Sequence, residues 1–118
     1  MTAAPQADFW RGKSVLVTGH TGFKGSWLTL ALDRRGAKVT GISLPPLTTP
    51  NLFSEAKIAD LCQSNFFDIR DAAGVVGLIR AARPEIVFHL AAQPLVRESY
   101  RDPLTTLETN VMGTAHVL

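Results

Sequence analysis

One cysteine, one tyrosine, no apolar run approaching the ~20 residues of a membrane span and no block of charge of either sign mark what this sequence does without. A lone Cys62 excludes an internal disulfide framework, and a buried structural thiol in a reducing cytoplasm is the reading that fits. Net charge is +2, with lysine and arginine scattered and no recurring aromatic-basic face, which argues against a nucleic-acid partner. No membrane partner and no metal site are expected. Met1 to Asp8 have neither a basic n-region nor an apolar h-region, so they read as a short loose tail and not as a signal peptide or anchor. What remains is ordinary globular material, 46% apolar, enough to build the core of one domain.

The rest of the chain is organised around Val15-Leu16-Val17-Thr18-Gly19-His20-Thr21-Gly22-Phe23-Lys24-Gly25. Ser14 to Thr18 are small and β-branched residues plus one leucine, which suits a strand buried on both faces. A strand that stops on glycine and turns straight into a helix aims the helix's free N–H groups, and the positive end of its dipole, at whatever lies in the turn. A pyrophosphate fits there. Gly19 would let the chain bend, Gly22 would let backbone approach phosphate with no Cβ in the way, and Gly25 would let helix and strand pack close. The spacing is G-x-x-G-x-x-G instead of G-x-G-x-x-G, and a plain turn is the other reading of three glycines; their place between an apolar strand and an amphipathic helix favours a nucleotide. A phosphate loop at Gly12-Lys13-Ser14 fails, because Ala7 stands where its first glycine should and Lys13 precedes the strand.

Phe9 and Trp10 read as a lead-in that covers the near end of the first strand. A helix from about Phe23 to Arg35 puts Trp27, Leu28, Ala31 and Leu32 on one side, towards the sheet, with Gly36 as its left-handed cap. Ala37 to Ser43 reads as a second strand, parallel to the first through a right-handed crossover. At its end, roughly 20 residues beyond the glycines, a carboxylate would accept from the ribose of NAD and an arginine would favour the 2′-phosphate of NADP. Neither is present: Ser43 and Leu44 occupy the place, Pro45 and Pro46 follow, and Arg34, Arg35 and Lys38 are close only in sequence. Ser43 can still hydrogen-bond a ribose as a neutral group. Asn51 to Leu61 allows a short connecting helix. Gln63 to Asp68 makes the third strand and Glu85 to Leu90 the fourth; between them Asp71 caps a helix Ala72–Arg83 whose stripe is Val75, Val76, Ile79 and Ala82. His89 lies inside an apolar strand, where a hydrogen-bonded core role outweighs a catalytic one. The small Ala91 and Ala92 leave space for a flat cofactor. Asp102-Pro103 starts a last helix with Leu104, Leu107, Val111 and Leu118 on one face. The expected fold class is α/β, the N-terminal half of a Rossmann-type doubly wound parallel sheet with strand order 3-2-1-4.

Spaced glycines after a Val-Thr strand end, and the run Gly19-His20-Thr21-Gly22-Phe23-Lys24-Gly25-Ser26-Trp27-Leu28, resemble the extended short-chain dehydrogenase/reductase family, whose members act mostly on nucleotide sugars. Lys24 stands where most relatives carry an aliphatic residue, and with it the run resembles the CDP-glucose 4,6-dehydratase branch. The resemblance extends from Phe9 to Leu118 and covers only the first part of such an enzyme, the N-terminal part of its NAD(P)-binding domain. It implies NAD as cofactor, held by Gly19, Thr21, Gly22, Phe23, Lys24, Gly25 and Ser43. Asp68 and Ile69 would receive the adenine, with loop capping as the other reading of Asp68, and Leu90, Ala91 and Ala92 would line the cofactor. Gln93 and Leu95 are candidates for the sugar or nicotinamide face, or for packing; Arg97 would answer a diphosphate or point to water. Asn110 would tie the last helix to a strand end.

The implied reaction converts CDP-glucose to CDP-4-keto-6-deoxyglucose by oxidation at C4, loss of water between C5 and C6, and return of the hydride at C6, in a cytoplasmic homo-oligomer serving polysaccharide biosynthesis. The family's Tyr-x-x-x-Lys pair is missing, since Tyr100 is followed four places later by Leu104, and the other catalytic residues belong to later strands. No catalytic residue is named, and the chain alone is expected to be inactive. An epimerase, a dehydratase for another nucleotide, a non-catalytic NAD-binding module and a purely structural domain are the other readings. Two expectations follow from the segment itself: weak binding of NAD or ADP-ribose, and self-association through the open apolar edge of the fourth strand at Ile86, Val87 and Phe88.

Overall fold

The computed structural model describes residues 8–118, so the expected N-terminal tail, Asp8 apart, lies outside the described residues. Strands β1 (Ser14–Thr18), β2 (Lys38–Ser43), β3 (Gln63–Phe66) and β4 (Ile86–His89) form one parallel sheet in the order β3-β2-β1-β4, the Rossmann-type order expected. Helices α1 (Phe23–Arg34), α2 (Leu52–Glu55) and α3 (Ala72–Ala82) connect them, with a 3₁₀ turn at Ile58–Asp60. After β4 come α4 (Val96–Arg101), α5 (Pro103–Leu107), a π-helical turn at Glu108–Met112 and α6 (Gly113–Val117).

β1 is the centre of the molecule because its side chains alternate into two cores. Val15 and Val17 pack with Leu32 of α1 and Val39; Leu16 packs with Ile42, Ile69 and Val75 of α3. Thus α1 covers one face and α3 the other, and the winding reverses beside β1. In such sheets the crevice at the carboxyl ends of the strands, where the winding reverses, receives ligands. Pairing of Thr18 with both Ile42 and His89 sets the ends of β1, β2 and β4 level around that crevice.

Local expectations hold where a single residue dictates geometry. Gly36 takes a left-handed φ of 85°, Asp71 accepts from the Gly74 amide at 3.0 Å, and Asp102 accepts from the Thr105 amide at 3.1 Å ahead of Pro103. Trp10 packs against Phe88, their ring centroids 6.2 Å apart and tilted by 36°, and covers the first core beside β1. Several bounds and faces differ. α1 buries Gly25, Ser26, Thr29 and Leu32 and packs Leu28 partly against the core, while Trp27 and Ala31 are exposed, because the glycine turn draws the start of the helix so close that only small side chains fit beneath it there. In α3, Leu78 and not Val76 joins Val75, Ile79 and Ala82, and left-handed Arg83 ends the helix one residue early. Lys57, with φ of 53°, splits the segment after Asn51 into two short turns. β3 pairs only to Phe66, short of Asp68. Cys62 is half-buried, and burial pushes its thiol up to about 11, as befits an inert packing residue.

Candidate functional site

The three glycines of the turn do different work. Gly19 has a φ of 81°, its amide donates to the Ile42 carbonyl at 2.7 Å, and a Cβ there would meet the Ala91 amide nitrogen at 2.9 Å. A Cβ on Gly25 would be driven into the Gly19 carbonyl oxygen. First and third glycines are therefore required by packing between β1, β4 and α1. Gly22 is exposed, and the nearest atom to its absent Cβ is the Gly19 oxygen at 3.4 Å, so its outer side is open. It is the N-cap of α1, makes no side-chain cap, and leads into Phe23-Lys24-Gly25, a first turn without an acid. The start of α1 thus offers uncompensated N–H donors and dipole charge to the open side, beside the exposed Phe23 and Lys24.

The end of β2 meets this turn. Thr21 Oγ1 lies 2.7 Å from Ser43 Oγ and donates to the Leu44 carbonyl at 2.8 Å. Lys38 opens β2 while Ser43 closes it, about 16 Å away at roughly 3.3 Å per residue, so the bases of the α1–β2 junction face the opposite end of the sheet.

Sequence reasoning assigned no role to His20, which is wholly buried in the turn. Its Nε2 is 2.7 Å from Ser64 Oγ, and its ring lies edge-on to Phe53 at 5.5 Å and stacked on Phe66 at 6.3 Å. Nδ1 has no partner among the described residues, and burial lowers the imidazole's pKa from its ordinary value. The signal was Gly41: glycine inside a strand marks a close approach, and any side chain there would collide with the His20 ring.

On the other flank, Thr18 Oγ1 accepts from the Leu90 and Ala91 amides at 3.0 and 3.1 Å and lies 2.7 Å from His89 Nδ1. With two N–H groups already donating to it, the Thr18 hydroxyl must spend its one proton on Nδ1. His89 is then neutral with its proton on Nε2, which donates to Thr114 Oγ1 at 2.9 Å; Thr114 donates onward to the Asn110 carbonyl at 2.6 Å. Burial lowers the His89 pKa in keeping with this, and its role is the core one expected. The relay holds the turn at Leu90-Ala91 against Gly19, with Leu90 and Ala92 exposed and Ala91 half-buried.

Beyond β3, Asp68 Oδ1 accepts from the Arg70 amide at 2.9 Å while Oδ2 takes the Arg70 guanidinium at 2.7 and 2.9 Å, which holds the carboxyl below its usual range. Asp68 therefore caps its loop in this structure. Ile69 turns its side chain into the second core against Gly113, leaving only its backbone to the loop. Asn110 clamps Gln93 as expected, accepting from its amide at 2.7 Å and donating to its carbonyl at 3.1 Å. The Gln93 side chain is occupied as well, donating to the Leu95 carbonyl and Thr106 Oγ1 and accepting from the Leu95 amide. Leu95, Arg97 and Tyr100 stand exposed. The strand ends thus bring the glycine turn, Ser43 and Leu90 to Ala92 together, while the Gln93 amide is turned onto its own loop. Among the described residues no His, Cys, Asp or Glu groups cluster as metal ligands, and no helix is long and apolar enough to cross a membrane.

Residues 16–118 match the GDP-mannose 4,6 dehydratase family. CDP-glucose 4,6-dehydratase of Salmonella typhimurium is 55% identical over 111 residues, covering 94% of this chain and 31% of that protein. Among solved structures, UDP-glucose-4-epimerase of Stenotrophomonas maltophila, with bound NAD and formylated UDP-arabinopyranose, superimposes with a TM-score of 0.76 at 26% identity over 89% of this chain and 32% of that one. UDP-glucose 4-epimerase of Brucella ovis in complex with NAD gives a TM-score of 0.74 at 29% identity over 90% of this chain and 31% of that one. The chain spans between 20% and 32% of the length of these curated relatives and others it matches.

Proposed function

Because the chain belongs to the GDP-mannose 4,6 dehydratase family, we propose that it forms the N-terminal, NAD-binding part of a nucleotide-sugar 4,6-dehydratase that acts on CDP-glucose, and that it is inactive alone. The observation that carries the cofactor reading is the open, uncapped start of α1 at the level ends of β1, β2 and β4. Its chemistry suits a pyrophosphate. Phe23, Lys24 and Gly25 would hold that group with their N–H donors, Gly19, Thr21 and Gly22, whose own N–H donates to the Gly19 carbonyl, would shape the turn, and Ser43 would meet the adenosine ribose. Asp68 and the Ile69 backbone border the adenine end; Leu90, Ala91 and Ala92 form the wall along which a flat ring can lie. NAD bound there would supply the hydride acceptor for the sugar. Leu95 and the backbone around Gln93 border the sugar side. CDP-glucose as substrate is supported by the 55% identity to the Salmonella dehydratase. Inactivity alone follows from Tyr100, exposed and followed by Leu104 where the family's base needs a lysine. For the whole enzyme the reading carries a cytoplasmic homo-oligomer.

Calorimetric titration with NAD and with ADP-ribose tests the cofactor reading: weak binding of both is expected, and absence of heat with both overturns it. Incubation of the chain with CDP-glucose and NAD is expected to yield no keto sugar, and turnover would refute the inactivity. The full-length parent enzyme, assayed with CDP-, GDP- and UDP-glucose, tests the substrate.

A further inference from the structure

Thr21 has one hydroxyl proton and two oxygen neighbours, Ser43 Oγ at 2.7 Å and the Leu44 carbonyl at 2.8 Å. A carbonyl can only accept. Both contacts are hydrogen bonds at once in a single arrangement, with Thr21 donating to Leu44 and Ser43 donating to Thr21. Thr21 is buried in the turn and Ser43 half-buried at the end of β2, so the outward side of Ser43 carries lone pairs and no proton. That is the polarity of the carboxylate which dinucleotide sites carry at this place, without its charge.

We propose, building on the cofactor reading above, that Thr21 is a specificity-determining positioning residue: by engaging the Ser43 proton it makes Ser43 an acceptor that admits the ribose 2′-hydroxyl of NAD and rejects the 2′-phosphate of NADP. A ribose hydroxyl brings the proton that Ser43 lacks. A phosphate brings only acceptors, and two acceptors pressed together lose water without gaining a bond. To bind it, Ser43 would have to leave Thr21. Arg34, Arg35 and Lys38 offer no compensating cation, since they stand where α1 ends and β2 begins, at the other end of the sheet.

The test is calorimetric titration of the chain and of three variants with NAD and NADP. The unaltered chain is expected to bind NAD at least about tenfold more tightly than NADP. Thr21→Val frees the Ser43 proton to turn outward, and NADP should then gain about three- to tenfold relative to NAD, the scale of one net hydrogen bond. Thr21→Ser keeps the acceptor and should keep the original ratio. Ser43→Ala, at a half-exposed position with little bearing on folding, should weaken NAD about three- to tenfold and leave NADP nearly unchanged. An unaltered ratio in both Thr21→Val and Ser43→Ala, or a Thr21→Ser variant that behaves like Thr21→Val, overturns the proposal. A chain that binds both nucleotides without preference overturns it alone, whereas a chain that binds neither overturns the cofactor reading beneath it.

Discussion

On the β2 side of β1 polar groups are enclosed and, His20 Nδ1 apart, paired, whereas on the β4 side apolar side chains stand in water. The first flank achieves its density by leaving side chains out, at Gly19, Gly25 and Gly41, and by bonding the small polar ones it keeps: Ser26 Oγ donates to the His20 carbonyl at 2.9 Å and Thr29 Oγ1 to the Gly25 carbonyl at 2.8 Å. The second flank exposes Val87, Leu90 and Leu95 and continues along α4 to α6, where Tyr100 is 84% and Leu104 71% exposed. Among the described residues nothing pairs the outer edge of β4. The difference teaches that one flank is held by close approach of backbone and small bonded polar groups, and that the other is organised from behind, by the Thr18–His89–Thr114 relay and the Asn110 clamp, while its front is unpartnered apolar surface among the described residues.

The comparison is broken most severely at Gly25. Gly25→Val forces α1 off β1, and a loss of about 3 kcal/mol or more is expected in urea denaturation; a loss below about 1 kcal/mol would mean that the turn is not tightly packed. Thr18→Val strikes the back of the second flank, leaving the Ala91 amide without its acceptor and His89 Nδ1 without its donor, while the Leu90 amide keeps the Thr18 carbonyl. About 1–3 kcal/mol should be lost, and Thr18→Ser should recover most of it.

Acid sharpens the comparison, because each flank holds one histidine whose pKa burial lowers from the ordinary imidazole value of 6.5. The unfolded chain takes up protons below that value while the folded chain resists until its lower pKa values are reached. The stabilising contribution of neutral His20 and His89 is therefore complete above pH 6.5 and is lost as pH falls through the folded values. Denaturation midpoints should be level from pH 8 to 7 and fall towards pH 5; a midpoint that rises in that range contradicts the buried, neutral assignment.

The smallest effect on folding is expected at the exposed front. Leu104→Glu with Leu107→Glu should change stability by no more than about 0.5 kcal/mol for each site. The same pair should reduce the concentration-dependent mass that light scattering is expected to register for the unaltered chain, since exposed apolar faces and an unpaired strand edge recruit partners. A chain that remains monomeric at high concentration would show this surface to be inert.

Much of the fold was legible because it is written in local patterns. Apolar runs ending in glycine, helices opened by Asp71 and Asp102, and the left-handed Gly36 suffice for four parallel strands and their order. The role of His89 was legible from its apolar neighbours. The face of α1 was legible in part: Leu28 and Leu32 pack inwards as apolar periodicity selects, but Trp27 and Ala31 are exposed and the closeness of the turn puts Gly25, Ser26 and Thr29 inside by size. His20 escaped notice for the same reason, since its partners Ser64 and Gly41 belong to strands brought beneath it only by folding.

By itself the sequence determined the strand–turn–helix at the glycines, the alternation of elements and hence the architecture, because backbone freedom and apolar periodicity are properties of neighbours along the chain. Only the tertiary structure decided which hydroxyls hold protons for which partners. Thr18 meets His89 across 71 residues and Thr21 meets Ser43 across 22, and the direction of a hydrogen bond depends on every group that converges on an atom, wherever in the chain it comes from.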